Sequence, residues 1–220
     1  MKKIVAFSDS HCEPINSILG DVSADILIFA GDATFRGTHE EFRKVFWELR
    51  QVQKNFGNVV WVNGNHDFLF QDDPEAAQAL VPPGVIVLNN TEAQVQGLKI
   101  WGSPWTTKFY DWAFMKSQKE IRKTWEQIPS NLDILITHGP PAGILDQNDR
   151  GDHCGDYELE SIVGRELVKA PLHHFFGHIH VGNGRPTYFY NGRTHFHNVS
   201  IMNEQYFPEN PYTEVYIDNT

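Results

Sequence analysis

Five short polar clusters, each set directly behind an apolar run, constrain this chain more than any other feature. The clusters are Asp9-Ser10-His11, Gly31-Asp32, Gly64-Asn65-His66-Asp67, His138-Gly139 and Gly177-His178-Ile179-His180. The runs are residues 4–7, 26–30, 59–62, 134–136 and 175–176, rich in Ile, Val and Phe. Such runs read as strands buried on both faces, the pattern of parallel sheets. In open α/β sheets, sites form beyond the carboxyl ends of the strands. Five such ends can bring Asp, His and Asn side chains to one place. Oxygen and imidazole donors without a thiolate suit a pair of divalent metals.

Composition narrows the class. A chain of 220 residues is long enough for one domain with a sizeable core, and it reads as a single domain over residues 1–220. The net charge of −10 argues against duplex nucleic acid as a partner, although bound metals would reverse the sign locally. Cys12 and Cys154 form no metal or redox pattern, which fits a reducing cytoplasm. The start Met1-Lys2-Lys3 resembles that of a signal peptide, but the apolar stretch after it stops at Ser8, too soon for an h-region. No stretch reaches membrane-spanning length, so no membrane partner is expected.

Periodicity places the clusters on elements. Residues 38–53 give the clearest helix: Thr38 and Glu41 make a capping box, and Phe42, Val45, Phe46, Leu49 and Val52 form one stripe. Shorter helices are expected after Pro14 and over 74–80, with longer ones over 117–128 and 157–169. Residues 85–88 and 94–101 read as two further strands. Residues 187–190, 194–199 and 213–217 read as an antiparallel meander with a hairpin turn at Asn191-Gly192. The order predicts an α/β fold of two stacked mixed β-sheets flanked by helices.

The donors divide into two shells. Asp9 and His11, two apart, share a face if the chain stays extended, and so do His178 and His180. Asp32 follows Gly31, which permits a sharp turn, and its two oxygens can bridge two ions. One shell is Asp9, His11, Asp32 and His180; the other is Asp32, Asn65, His138 and His178. Two ions about 3.5–4 Å apart clamp a phosphate and share an activated hydroxide that attacks phosphorus in line. His66, beside Asn65, is expected to donate a proton to the leaving oxygen or to bind the phosphate, with Asn65 as a second substrate contact.

The five blocks, in this order, resemble those of the calcineurin-like metallophosphoesterases over about residues 7–180. The resemblance implies a helix-flanked β-sandwich, a dinuclear metal centre and phosphoester hydrolysis. It also implies Mn²⁺ as the first choice of metal, with Fe or Zn²⁺ as alternatives. Protein phosphatases of that superfamily carry Gly-Asp-x-x-Asp-Arg-Gly. Here residues 31–37 place Phe35 where the second Asp stands, so the usual partner of the catalytic His is missing. Gly31-Asp32-Ala33-Thr34 looks instead like cyclic-nucleotide-type phosphodiesterases. Trp101-Gly102-Ser103-Pro104-Trp105 and Thr137-His138-Gly139-Pro140-Pro141 look like the metallophosphoesterase-domain-containing (MPPED) group. Asp67 stands where Glu is common.

The expected substrate is therefore a small phosphodiester or nucleotide, cyclic nucleotides among them. The alternatives are a phosphomonoesterase, including a phosphoprotein phosphatase, and a nuclease. The aromatic run Trp101, Trp105, Phe109, Tyr110, Trp112 and Phe114 is a candidate stacking wall. His153 in the loop 149–155 is a further candidate for a place over the site, whereas Arg185 past the His pair reads as a solvated arginine, with a phosphate contact as its alternative. His195, His197, His173 and His174 read as ordinary strand residues, and His39 as a solvated helix-start residue.

Overall fold

The computed structural model describes residues 1–182, 187–188 and 192–218. In chain order the first half runs β1 (Lys2–Phe7), α1 (Ile15–Leu19), β2 (Ala24–Ala30), α2 (His39–Val52), β3 (Phe56–Val62), α3 (Leu69–Asp72), α4 (Pro74–Leu80) and β4 (Val85–Val87). It continues through β5 (Thr91–Val95), β6 (Leu98–Ser103), β7 (Thr106–Thr107), β8 (Met115–Lys116), α5 (Gln118–Trp125) and β9 (Ile134–Thr137). The last elements are α6 (Tyr157–Ser161), β10 (His173–Phe176), β11 (Thr187–Tyr188), β12 (His195–Asn198) and β13 (Thr213–Ile217).

Two mixed sheets stack face to face. One has the order β13-β1-β2-β3-β4, the other β11-β12-β10-β9-β6-β5. Alternation along each strand explains the continuous apolar runs. Ile4, Ile26, Ile28, Val60 and Val62 point between the sheets against Ile100, Ile134, Ile136 and Phe175. The intervening residues Val5, Phe7, Leu27, Phe29 and Trp61 point outward under α2, whose whole predicted stripe is buried against them. On the far side Trp101, Leu135, Phe176 and Phe196 lie under Ile121 and Trp125 of α5 and Leu159 of α6. Both faces are covered, so the inner strand positions are mostly apolar and the site residues follow the strand ends. Each large side chain so buried stabilises the fold by roughly 1.5–3 kcal/mol relative to exposure.

The capping box forms as read: the Thr38 hydroxyl accepts from Glu41 N, and Glu41 accepts from Thr38 N. Three expectations need correction. Residues 94–101 are not one strand; the chain reverses at Gln96-Gly97, where both φ values are positive, and β5 pairs antiparallel with β6. A glutamine in the first turn position hides that hairpin from a search for Asn-Gly or Asp-Gly. The helix expected over 157–169 keeps α-geometry only to Ser161, then widens into a π-turn over Ile162–Glu166. The terminal strands are not a simple meander, because β12 runs parallel to β10 and β13 crosses to the other sheet to pair antiparallel with β1. The predicted turn at Asn191-Gly192 and Arg185 lie outside the described residues.

Candidate metal centre

The ends of β1, β2 and β3 in one sheet and of β9 and β10 in the other meet at one edge of the sandwich. Backbone hydrogen bonds bind the loops that follow them: Asp9 N donates to Gly31 O (2.8 Å), His11 N to Asp32 O (3.1 Å) and Gly177 N to His138 O (2.8 Å). The side chains converge as a result. Donor atoms of Asp9, His11 and His180 lie within 4.8 Å of one another, as do those of Asp32, His138 and His178. Asp32 also forms a third such group with His11 and His66. It therefore stands between the two halves. Asn65 completes the second half, with its Oδ1 2.9 Å from His138 Nε2.

The local route to this arrangement differs from the extended chain that spacing suggested. Asp9, His11, Asp32 and His178 all have positive φ (55°, 40°, 58° and 67°). Asp and His tolerate this conformation better than most residues, and strain of this kind is typical of functional loops. The turns send His178 and His180 to different halves of the site. Two glycines make room for them. A Cβ on Gly31, at φ +104°, would run into the His138 ring, and one on Gly177 would run into Ser8 Oγ and Asp9 Oδ2.

Three imidazoles are anchored in the same way. His11 Nδ1 donates to Thr34 O (3.1 Å), His138 Nδ1 to Ala30 O (2.9 Å) and His180 Nδ1 to Asn203 O (3.0 Å). These bonds place a proton on Nδ1 and aim each Nε2 inward. His138 Nε2 lies 3.2 Å from Asp32 Oδ2, and His180 Nε2 lies 3.7 Å from Asp9 Oδ1. His11 Nε2 is buried and has no partner among the described residues. A buried, unpartnered imidazole nitrogen beside two buried carboxylates is a position that a divalent cation satisfies.

Electrostatics agree with that fit. Burial alone would neutralise Asp32, yet the charges of His138 and His66 hold its carboxyl well below the usual range. Burial would also neutralise His138, but the Asp32 carboxylate pushes it up to about 9. His11 and His178 are pushed down to about 4, chiefly by burial. The ionised Asp32 carboxylate leaves the proton on His138, and a cation held there would compete with that proton.

His66 sits at the mouth. Its backbone N donates to Asp32 Oδ1 (2.8 Å), and its Nε2 lies 4.0 Å from Asp32 Oδ2. Its Nδ1 donates to the backbone carbonyl of Phe35 (2.8 Å). Phe35 thus supplies, through its main chain, the orienting acceptor that its side chain lacks.

Spacing undervalued Asp67. The side chain is fully buried, and its Oδ1 accepts from Thr34 N (3.1 Å) and Thr34 Oγ1 (2.8 Å). Its Oδ2 accepts from Gly64 N (2.9 Å) and Ala33 N (3.3 Å). Asp67 therefore clamps the loop carrying Asp32 to the loop carrying Asn65 and His66. Burial, and then the charge of Asp32, push its carboxyl up to about 6. The available clue was its place one residue after His66 in a cluster otherwise full of site residues.

The aromatic run divides. Trp101 and Phe114 are core residues, and Trp105 packs under the Lys116 ammonium at 3.6 Å. Phe109, Tyr110 and Trp112 are exposed. His153 does not lean over the centre; its Nδ1 meets Asp146 at 2.7 Å within its own loop. Tyr206, not singled out from sequence, stands against His11 (4.8 Å) and His180 (5.1 Å).

A two-sheet α/β sandwich whose strand ends gather Asp, His and Asn donors at one edge defines a metal-binding hydrolase architecture. The family model for calcineurin-like phosphoesterase matches residues 2–182, and the chain belongs to that family. It is 33% identical over 236 residues to metallophosphoesterase domain-containing protein 1 of Homo sapiens, covering 95% of this chain and 69% of that one. A UPF0046 protein of Caenorhabditis elegans is 31% identical over 224 residues, covering 92% of this chain and 76% of the relative. A crystal structure from Thermus thermophilus superposes with a TM-score of 0.58 at 14% identity, covering 90% of this chain and 88% of that one, a likeness of fold. Among the described residues, no helix is long and apolar enough to cross a membrane.

Proposed function

We propose that the protein is a dinuclear-metal-dependent phosphodiesterase acting on small phosphodiesters. The observation that carries this reading is Asp32, grouped with His138 and His178 on one side and with His11 and His66 on the other. Asp9, His11, Asp32 and His180 would hold one ion, and Asp32, Asn65, His138 and His178 the other. When bound, such a pair supplies Lewis acidity and lowers the pKa of water, so that a nucleophile exists near neutral pH. Mn²⁺ suits the oxygen and imidazole donors, with Fe or Zn²⁺ as alternatives.

The chain's own residues do the rest. Asn65 offers an amide to a phosphate oxygen. His66, held by the Phe35 carbonyl, presents Nε2 toward the centre and passes a proton to the leaving oxygen. A diester carries one negative charge where a monoester carries up to two. The described residues that line the pocket over Asp32 include no Lys or Arg and do include Glu204. That lining favours the less charged ester. The net charge of −10 also weighs against long nucleic acids.

The test is turnover of bis-p-nitrophenyl phosphate against p-nitrophenyl phosphate, with Mn²⁺ and with chelator. We expect metal-dependent hydrolysis with the diester ahead. A monoester preference would replace this reading with that of a phosphomonoesterase.

A further inference from the structure

One aromatic side chain over the centre has no part in the reaction proposed above. Tyr206 meets the His11 ring at 4.8 Å and the His180 ring at 5.1 Å, edge to face in both cases, and the Phe35 ring at 5.8 Å. His11 and His180 are the two imidazoles of one donor group, which Asp9 completes. Asp9 and His11 are buried, whereas Tyr206 is 42% exposed and lines the pocket over Asp32. The phenol ring therefore stands between solvent and one half of the centre. The turn that carries it is tied to the same half. Tyr206 has a φ of 60°, a left-handed conformation that a bulky residue takes only where its surroundings enforce it. Asn203 enforces it. Its side-chain oxygen accepts from Gln205 N (2.9 Å) and Phe207 N (3.0 Å), and its carbonyl accepts from Tyr206 N (2.9 Å). That carbonyl also accepts from His180 Nδ1 (3.0 Å). One turn thus anchors a metal-facing imidazole through its main chain and covers it with a ring.

We infer that Tyr206 is a positioning residue for the ion held by Asp9, His11 and His180. The inference rests on the two-ion reading of the centre and adds a residue to it. The ring confines both imidazoles, so little side-chain freedom is left for a bound ion to remove. It also keeps water from the Asp9 carboxylate, and a cation is attracted more strongly where the surroundings are less polarisable. Without the ring, His11 and His180 are free to turn away from the centre and water reaches Asp9. The hydroxyl is not needed for either effect, so phenylalanine serves at this position and alanine does not. Among the described residues the ring does not meet His138 or His178, so the other half of the centre does not depend on it.

Titration of the full chain with Mn²⁺, with free Mn²⁺ read by electron paramagnetic resonance, tests this without turnover. We expect Tyr206→Ala to weaken one of the two ions about tenfold or more and to leave the other unchanged. Tyr206→Phe should match the parent chain. Phe207→Ala lies on the same turn and keeps its backbone bonds, so it controls for damage to the turn and should change neither ion. Asn65→Ala weakens the ion of the other half, and in that background Tyr206→Ala should weaken the stronger ion that remains. Equal weakening of both ions by Tyr206→Ala, or of neither, would overturn the inference. So would Tyr206→Phe or Phe207→Ala behaving like Tyr206→Ala, or an Asn65→Ala chain whose stronger ion Tyr206→Ala leaves untouched. In each of these cases the two-ion reading stands. A parent chain that binds no more than one Mn²⁺ would overturn that reading and this inference with it.

Discussion

Strand β10 carries histidines at both of its ends, and the two sets behave in opposite ways. Past its carboxyl end, His178 and His180 join His11 and His138 around Asp9 and Asp32. At its start, His173 stacks on His195 (5.1 Å) and His197 (5.3 Å), and His174 bonds Thr137 Oγ1 at 2.8 Å. The first set has carboxylates in its midst and has three of its four rings pinned by backbone carbonyls. The second consists of rings packed on rings: His173 Nδ1 meets His197 Nε2 at 3.0 Å, and Phe175 closes the stack at 4.7 Å from His197. The charge states follow. His138 is pushed up to about 9 by Asp32 against burial, whereas burial pushes His174 and His197 down to about 3 and His173 to about 4. Histidine number therefore does not make a metal centre; acidic company and a fixed tautomer do.

The sharpest way to break this contrast is Asp32→Ala. It removes the carboxylate proposed to serve both ion sites, and we expect bound metal to fall from two ions per chain to none, with turnover lost. Elemental analysis after gel filtration measures this. Two metals and full turnover in the variant would end the bridging assignment. His66→Ala comes next: metal content should be kept while kcat falls by about 10²–10⁴-fold, the usual range for a lost general acid. Loss of metal in that variant would make His66 a ligand instead. Asp67→Ala, which frees the Thr34 and Gly64 donors, should weaken metal affinity about 10–100-fold with His66 itself untouched. An unchanged metal titration would confine Asp67 to a folding role.

The histidine stack yields the smallest effect, and it appears in stability. His173, His174 and His197 have folded pKa values below the usual 6.5, so between about pH 6.5 and 4 the unfolded chain binds more protons than the folded one. Stability should be full above about pH 7 and decline as pH falls through that window. The slope is about 1.4 kcal/mol per pH unit for each histidine that titrates only on unfolding. Urea denaturation of chelated protein across this range, with and without His197→Phe, isolates the contribution. A slope unaltered by the substitution would show that the stack is not its source.

Much of the site was legible because the chemistry demands it locally. A strand covered on both faces favours apolar side chains, so the switch from Ile4–Phe7 to Asp9, or from Phe175-Phe176 to His178, marks a strand end on the sequence itself. The capping box at Thr38 and Glu41 is equally local. The hairpin at Gln96-Gly97 was not legible, because glutamine rarely takes the left-handed turn position, and here pairing with β6 and side-chain bonds to Lys2, Asp25 and Asn58 hold it there. The parallel placement of β12 was hidden for a similar reason: alternation within a strand says nothing about the direction of its neighbour. The role of the Phe35 carbonyl was hidden too, since every residue has one.

What the sequence alone determined is the list of donors, the apolar runs that deliver them and the family to which the order of the blocks belongs. Those are properties of residue type and short spacing, and they survive without coordinates. Only the tertiary structure decided which donors share a centre, that Asp67 clamps two loops and that the second set of histidines packs ring against ring. Each of these depends on loops from separate strands being fixed by long-range hydrogen bonds and left-handed turns. Such contacts join residues far apart in the chain, and no local pattern encodes them.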